Sequence, residues 1–349
     1  MATAITWLRF ARGMWRLGGL GLADRVVLGP MSGYTSVSYR TFMLGFGAGI
    51  AVTEMVSAQG LVHNPVESAR FVRSCPGQVT GVQVFGSDPE AMAEGARAAL
   101  ELNPELAFVD INMGCPAGKV MRAGSGASLM DDPKLCGRIA EAVRSSVDVP
   151  VTAKIRLGTD RDHEDWREVV DELIGAGVDG LTVHSRTADQ RYAGMADHSR
   201  IAGLGGDLPI PLIVSGDIWT PEDAVKAMEI TGATAVMVAR GGVGNPYLVT
   251  RIGRMLEDGT ALPEPTVPQQ VEWCLRLIDM TEAECGEEMA LARMRGVAAR
   301  FLSGFRYSRE YRRAITMRCE TLDDVRDVLR RAGGELERQH QNVWHNGPR

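Results

Sequence analysis

Short apolar, β-branched runs recur along the first 250 residues, each followed by a loop and a stretch that suits a helix. They lie at 26–29, 50–54, 79–85, 108–112, 151–155, 180–184, 212–215 and 235–239. Helix starts are written between them as Asp88-Pro89-Glu90-Ala91, Asp132-Pro133 and Thr220-Pro221-Glu222-Asp223, where a side-chain oxygen at the N-cap precedes a proline at the first helical position. Near-continuous apolar strands alternating with helices predict a parallel sheet with helices outside it. Eight such units predict a (β/α)8 TIM barrel, an α/β fold; an open doubly wound sheet is the alternative that the count of eight disfavours.

The periodicity changes after Pro263, Pro265 and Pro268. Leu, Met, Val and Ile then recur at three- and four-residue spacing, which predicts helices over 269–284, 289–302, 308–317 and 322–332 and a small all-α bundle. The expected organisation is an N-terminal extension (1–13), a barrel (14–258), a linker (259–268), a helical domain (269–335) and a tail (336–349), with Met14 opening a segment that reads as a native start.

Polar residues fall where the predicted strands end. Pro30-Met31-Ser32, Glu54, Gln83, Asn112 with Cys115, Lys154 with Arg156, His184 with Arg186, Ser215-Gly216-Asp217 and Arg240-Gly241-Gly242 follow successive strands. The C-terminal ends of barrel strands converge on one rim, so these side chains are expected to share a pocket. Taken singly, Lys154 is as readily a lysine whose stem lies along a strand end, and His184 a satisfied core histidine. Gln83, inside an apolar strand, needs partners for a buried amide, and a ligand that takes both its donor and its acceptor would supply them.

The most informative stretch is Asp110-Ile111-Asn112-Met113-Gly114-Cys115-Pro116-Ala117, a buried-type strand that runs into a turn presenting a lone cysteine. An unperturbed thiol, with a pKa of about 8.5, is mostly protonated at neutral pH and can give a proton. Most free cysteines are small core residues, so Cys115 alone decides nothing. The other cysteines, at 75, 136, 274, 285 and 319, show neither CxxC pairing nor zinc-ligand spacing, which predicts a reduced, cytoplasmic protein without metal. No apolar run approaches a bilayer span and residues 1–13 lack a signal-peptide core, so no membrane partner is expected.

The formal charge of −6 argues against a uniformly basic nucleic-acid binder. Yet residues 291–319 hold eight arginines (293, 295, 300, 306, 309, 312, 313 and 318) against Glu310 alone, a local balance of +7. Positive charge is therefore gathered in the helical segment.

The turn at Ala239-Arg240-Gly241-Gly242, after Ser215-Gly216-Asp217, matches the place where barrels bind phosphate after strands seven and eight. With a central lysine and the Gln83 amide, a flat phosphorylated cofactor suits the rim. FMN fits, with Lys154 offsetting charge near N1 and O2 of the reduced ring; pyridoxal phosphate on Lys154 is the rival. No Rossmann glycine fingerprint follows a strand, which disfavours a permanently held nicotinamide dinucleotide.

These residues together carry a resemblance. Gly29-Pro30-Met31-Ser32-Gly33-Tyr34-Thr35, Gln83 with Gly86-Ser87-Asp88-Pro89, Asp110 to Ala117, Lys119-Val120 with Arg122, Lys154-Ile155-Arg156, His184-Ser185-Arg186-Thr187, Gly216-Asp217 and Ala239-Arg240-Gly241 resemble the tRNA-dihydrouridine synthases, most closely the B-type bacterial branch, over roughly residues 15–335. The resemblance implies FMN contacts at Pro30, Met31, Ser32, Gln83, Lys154, His184, Ser215, Gly216, Asp217, Ala239 and Arg240. It implies Cys115 as proton donor, Asn112 as a contact to the substrate base, and a helical RNA-binding domain. Ser215 and Ala239 depart from the Asn and Gly frequent at those places, where backbone contributes most.

On this reading reduced FMN gives a hydride to C6 of a uracil ring and Cys115 a proton to C5. NADPH, or NADH, reduces the flavin beforehand. Arg186 at the rim and Arg293 and Arg295 in the helical segment are assigned to the RNA, transfer RNA or ribosomal RNA, and a monomer is expected. An FMN barrel acting on a free pyrimidine, of the dihydroorotate dehydrogenase type, shares the Asn-x-x-Cys-Pro run but has no use for the +7 segment. A non-catalytic RNA-binding barrel would not need Cys115, Lys154 and His184 on one rim.

Overall fold

The computed structural model describes residues 13–338. The expected N-terminal extension, apart from Gly13, and residues 339–349 of the expected tail lie outside them. Every predicted barrel strand forms: β1 (Val26–Leu28), β2 (Ile50–Val52), β3 (Thr80–Phe85), β4 (Phe108–Met113), β5 (Val151–Ile155), β6 (Gly180–His184), β7 (Leu212–Ser215) and β8 (Ala235–Val238). They pair in parallel in the order β2-β1-β8-β7-β6-β5-β4-β3, and β2 pairs again with β3, so the ladder closes into the expected TIM barrel. Val56–Ser57 adds a short parallel pairing along the far end of β3.

Helices α1 (Val37–Leu44), α2 (Pro89–Leu102), α3 (Pro133–Ser146), α4 (Trp166–Gly175), α5 (Pro221–Thr231) and α6 (Tyr247–Asp258) surround the barrel. The expected N-caps are formed. Asp88 accepts from the Ala91 N–H at 2.8 Å and Asp132 from that of Leu135 at 2.9 Å, while Thr220 and Asp223 make a reciprocal capping box.

Period-2 alternation divides the strands between two cores. Val109, Ile111, Ala153, Ile155, Leu181 and Val183 pack outward under the helices, whereas Val27, Ile50, Phe108, Ile213, Ala235 and Met237 belong to the cluster inside the ring. The N-terminal end of that interior is plugged by a hairpin the sequence patterning did not reveal, Trp15–Leu17 paired antiparallel with Leu20–Leu22. Its Leu17 is fully buried, and the Trp15 Nε1–H donates to the Asp24 carbonyl at 2.9 Å. Three-residue strands are too short for alternation to show in a sequence.

The linker leads into α7 (Val267–Cys285), α8 (Glu287–Phe301), α9 (Arg309–Met317) and α10 (Leu322–Arg338). Thr266 and Gln269 cap the first of these reciprocally. The last runs past its expected end at 332, because Leu329, Ala332 and Leu336 continue one buried stripe. Among the described residues no helix is long and apolar enough to cross a membrane, no cluster of His, Cys, Asp and Glu could hold a metal, and all six cysteines are unpaired.

The helical domain docks on α1 and on the turn after β8. The Ser38 N–H at the start of α1 donates to Glu284 at 2.7 Å, and Phe42 meets Phe301 with ring centroids 6.4 Å apart. Gly244, at φ +78°, lies so close to α8 that a Cβ there would stand 2.4 Å from the Arg300 backbone carbon. Both its left-handed backbone and this approach exclude a side chain. Gly244→Ala should destabilise the protein by about 2 kcal/mol or more, read as a lowered urea midpoint; an unchanged midpoint would show that the domains do not abut there.

Candidate active site

Ring closure carries the strand ends to one rim, where they line a cavity of about 730 Å³. All the residues expected at a cofactor, from Pro30 to Arg240, line it, together with Asn112 and Cys115. Alternation explains the set: Gln83, Asn112, Lys154, His184 and Ser215 occupy inward positions near the ends of β3 to β7. Strand register then sets their spacing, with Gln83 paired to Asp110, Asn112 to Lys154 and Ser215 to His184.

Lys154 makes no hydrogen bond or ion pair to the described residues, and burial, aided by the nearby Arg156 charge, lowers its pKa to about 8 against the pull of Asp110 and Cys115. Burial and the charges of Arg156, Lys154, Arg186 and Arg240 hold His184 well below the ordinary imidazole range, so it is neutral at pH 7. Burial pushes Asp110 up to about 6, with Thr152, Gln83 and Lys154 opposing.

Beyond β7, Gly216 adopts φ +119°, and a Cβ there would come within 2.9 Å of the His184 ring. The next residue, Asp217, receives Arg186 on both carboxylate oxygens, Arg240 at 3.0 Å and the Ala196 N–H at 2.9 Å. Burial opposes its charge, but these donors outweigh burial and hold the carboxyl below its usual range. Arg240 is also held over the Tyr192 ring, 4.3 Å from the centroid, with Trp219 at 5.4 Å. Asp217 therefore orients the arginine of the expected phosphate turn.

The Cys115 turn is held from both sides. Asn112 Oδ1 accepts from the N–H groups of Gly114 at 3.2 Å and Cys115 at 3.0 Å. Arg156 Nε–H donates to the Gly114 carbonyl at 2.9 Å, and its other nitrogens donate to the carbonyls of Thr187 and Arg191. The thiol, partly exposed, stays at the cavity wall.

Several expected contacts are placed differently. Gln83 gives Nε2–H to Asp110 at 2.7 Å and receives Asn112 Nδ2–H on Oε1 at 2.8 Å, so protein groups rather than a ligand already engage its donor and its acceptor. Asn112, expected to touch a base, has its oxygen committed to the Cys115 turn. Arg186 is 1% exposed and spends its donors on Asp217 and the carbonyls of Ala193 and Gly194, out of reach of an RNA. Arg293 pairs with Glu284 at 3.7 Å beside the domain junction, and Arg295 donates to the Cys319 carbonyl at 2.7 Å.

Other residues line the cavity without having been assigned to it. Tyr192 and Trp219 come from loops and Arg300 from α8; loops carry no periodicity, and Arg300 is one of eight arginines in its segment. Arg156 did stand beside Lys154 among the strand-end residues, which was the available signal. With Lys154, Arg156, Arg240 and Arg300 facing only Asp217 at the wall, and Met31, Met55 and Met237 among the apolar lining, the cavity suits an anion with a flat apolar body.

Because Lys154 loses its proton as pH rises through about 8, affinity of the flavin-free protein for an anionic ligand such as FMN should fall between pH 7 and pH 9. One proton limits the loss to about tenfold per pH unit, and Lys154→Met should flatten the profile in a fluorescence-quenching titration. An equal slope in that variant would remove Lys154 from the anion site.

A family model described as dihydrouridine synthase (Dus) matches residues 27–333. A tRNA-dihydrouridine synthase B of Pseudomonas aeruginosa is 35% identical over 298 residues, 85% of this chain and 89% of the relative. Another of that name, from Xanthomonas axonopodis pv. citri, is 34% identical over 88% of this chain and 92% of its own length. Among solved structures, the 6-hydroxypseudooxynicotine amine oxidase of Pseudomonas geniculata N1 shares a TM-score of 0.54 at 14% identity, over 78% of this chain and 53% of that one. This chain thus spans about half of that structure, and the likeness carries the fold alone.

Proposed function

This chain belongs to the dihydrouridine synthase family, and from that membership we propose that it reduces the C5–C6 double bond of uridines in tRNA, with FMN as flavin, NADPH as reductant and Cys115 as proton donor. The observation that carries the reading is the shared cavity: the Cys115 thiol stands on the same wall as Lys154 and opposite the turn that holds Arg240. A flavin bound there would supply the hydride for C6 of the uracil ring.

The chain's own residues would do the rest. Lys154 would offset the negative charge of a bound flavin. Arg240, oriented by Asp217, would hold its phosphate, with Arg300 adding charge from the helical domain. Neutral His184 offers a hydrogen-bonding ring without adding to the positive charge. Cys115 Sγ–H would give its proton to C5, and the resulting thiolate would lie in the field of Lys154, whose own titration senses Cys115.

Cys115→Ala should yield a flavin-bound protein that oxidises NADPH at the wild-type rate yet forms dihydrouridine at least about a hundredfold more slowly, measured by mass spectrometry of tRNA. A normal yield of dihydrouridine would remove Cys115 from the acid role.

The base must leave its stack to reach the cavity, and the helical domain is suited to hold the RNA that presents it. Arg306, Arg309, Arg313 and Arg318 are exposed around α9, beside Tyr307, which is 67% exposed. Together with Arg295, which is also exposed, these are the proposed phosphate contacts, and a free-pyrimidine enzyme would give them no work. Binding to tRNA should weaken steeply with salt, and each contact removed by Arg306→Ala, Arg309→Ala or Arg313→Ala should lower the log–log slope by about 0.7 to 0.9. Unchanged slopes in the triple variant would place the RNA elsewhere.

A further inference from the structure

We propose that Asp110 is a positioning residue for Cys115, acting through the side-chain amides of Gln83 and Asn112. This rests on the reading of Cys115 as the proton donor. Asp110 is 2% exposed in the middle of β4, and it is not part of the cavity wall. It accepts from Thr152 Oγ1–H at 2.6 Å and from Gln83 Nε2–H at 2.7 Å.

Both Asp110 carboxylate oxygens accept, one from Thr152 and one from Gln83, so Asp110 determines which end of the Gln83 amide faces it. The opposite end, Oε1, must then accept, and it does so from Asn112 Nδ2–H at 2.8 Å. That in turn leaves Asn112 Oδ1 as the acceptor for the N–H groups of Gly114 and Cys115. Turning either amide over would set oxygen against oxygen or N–H against N–H at a buried link. One carboxylate thus imposes the polarity of the chain that ends on the backbone of the reactive cysteine. The second Nδ2 hydrogen of Asn112 points to Met55 Sδ at 3.6 Å, so both ends of that amide are held by the protein.

The polarity can be reversed on purpose. Asn112→Asp keeps an acceptor for the Cys115 turn but sets a second oxygen against Gln83 Oε1. In the Asp110→Asn/Asn112→Asp double variant, Gln83 can turn over, giving N–H to the new carboxylate at position 112 and accepting from the new amide at position 110. The readout is the alkylation rate of Cys115 by iodoacetamide, followed peptide by peptide in the full-length flavoprotein, with partly exposed Cys285 as the internal standard. Asn112→Asp should change the Cys115 rate by about tenfold or more, and the double variant should return it to within about threefold of wild type, with Cys285 unaffected throughout.

A wild-type rate in Asn112→Asp, or a double variant no closer to wild type than the single, would overturn the relay. If Asn112→Asp does not fold, Gln83→Leu cuts the middle link, and an unchanged Cys115 rate there overturns it equally. Alkylation reports the turn and not the reaction, so a failed relay is distinguishable from a Cys115 that gives no proton.

Discussion

Closure of the parallel ladder is the constraint on which the site depends. Where β2 meets β3, the Thr53 N–H donates to the Gly81 carbonyl at 2.9 Å and Thr53 Oγ1 accepts from the Gln83 N–H at 3.1 Å, so the last seam of the ring is also the backbone support of a cavity residue. Once the ring is shut, strand alternation leaves inward positions nothing to face but one another. Apolar side chains fill the N-terminal half, and polar ones collect toward the C-terminal rim. A slip of one residue in β4 would exchange Asp110 and Asn112 for Val109 and Ile111.

Polar groups packed into a barrel are costly unless each has a partner, and the partners divide the interior into two systems. On the β3–β5 side, Asp110 takes Thr152 and Gln83 and hands its polarity on to the Cys115 turn. Across the cavity, Asp217 gathers the buried Arg186 and the half-buried Arg240 into one triad. Lys154 belongs to neither, which is why burial acts on it so strongly. An anion bound between the two systems would relieve the mutual repulsion of Lys154, Arg240 and Arg300, so the protein's own stability should favour the loaded form.

The strands, the helix caps and the bundle were readable from the sequence because each rests on local order: alternation, a side-chain oxygen before proline, apolar spacing of three and four. The rim was readable for the same reason, since barrel topology turns a strand end into a location. What was not readable is how polar atoms pair. Gln83 and Asp110 are 27 residues apart and Arg186 and Asp217 31 apart, and no periodicity announces that the first pair takes up an amide or that the second removes an arginine from the surface. Tyr192 and Trp219 join the cavity through contacts no pattern shows, Arg240 lying against both rings and Arg156 against Tyr192. Arg300 joins because α8 ends against Gly244.

That last contact ties the two domains into one device. The turn after β8 carries Arg240 at one end and Gly244 at the other, and Gly244 touches the backbone of Arg300, whose side chain reaches back to the cavity. From Arg300 the chain passes directly to the exposed arginines around α9. A shift of the helical domain would therefore move a cavity residue and the arginine-rich surface together, and it would disturb the turn after β8 that supports them. On the proposed function, the distance between a nucleic acid held at α9 and the cavity would be set by the packed contacts from Gly244 to Phe301 and on to the ring of Phe42 in α1, and not by flexible arginine side chains.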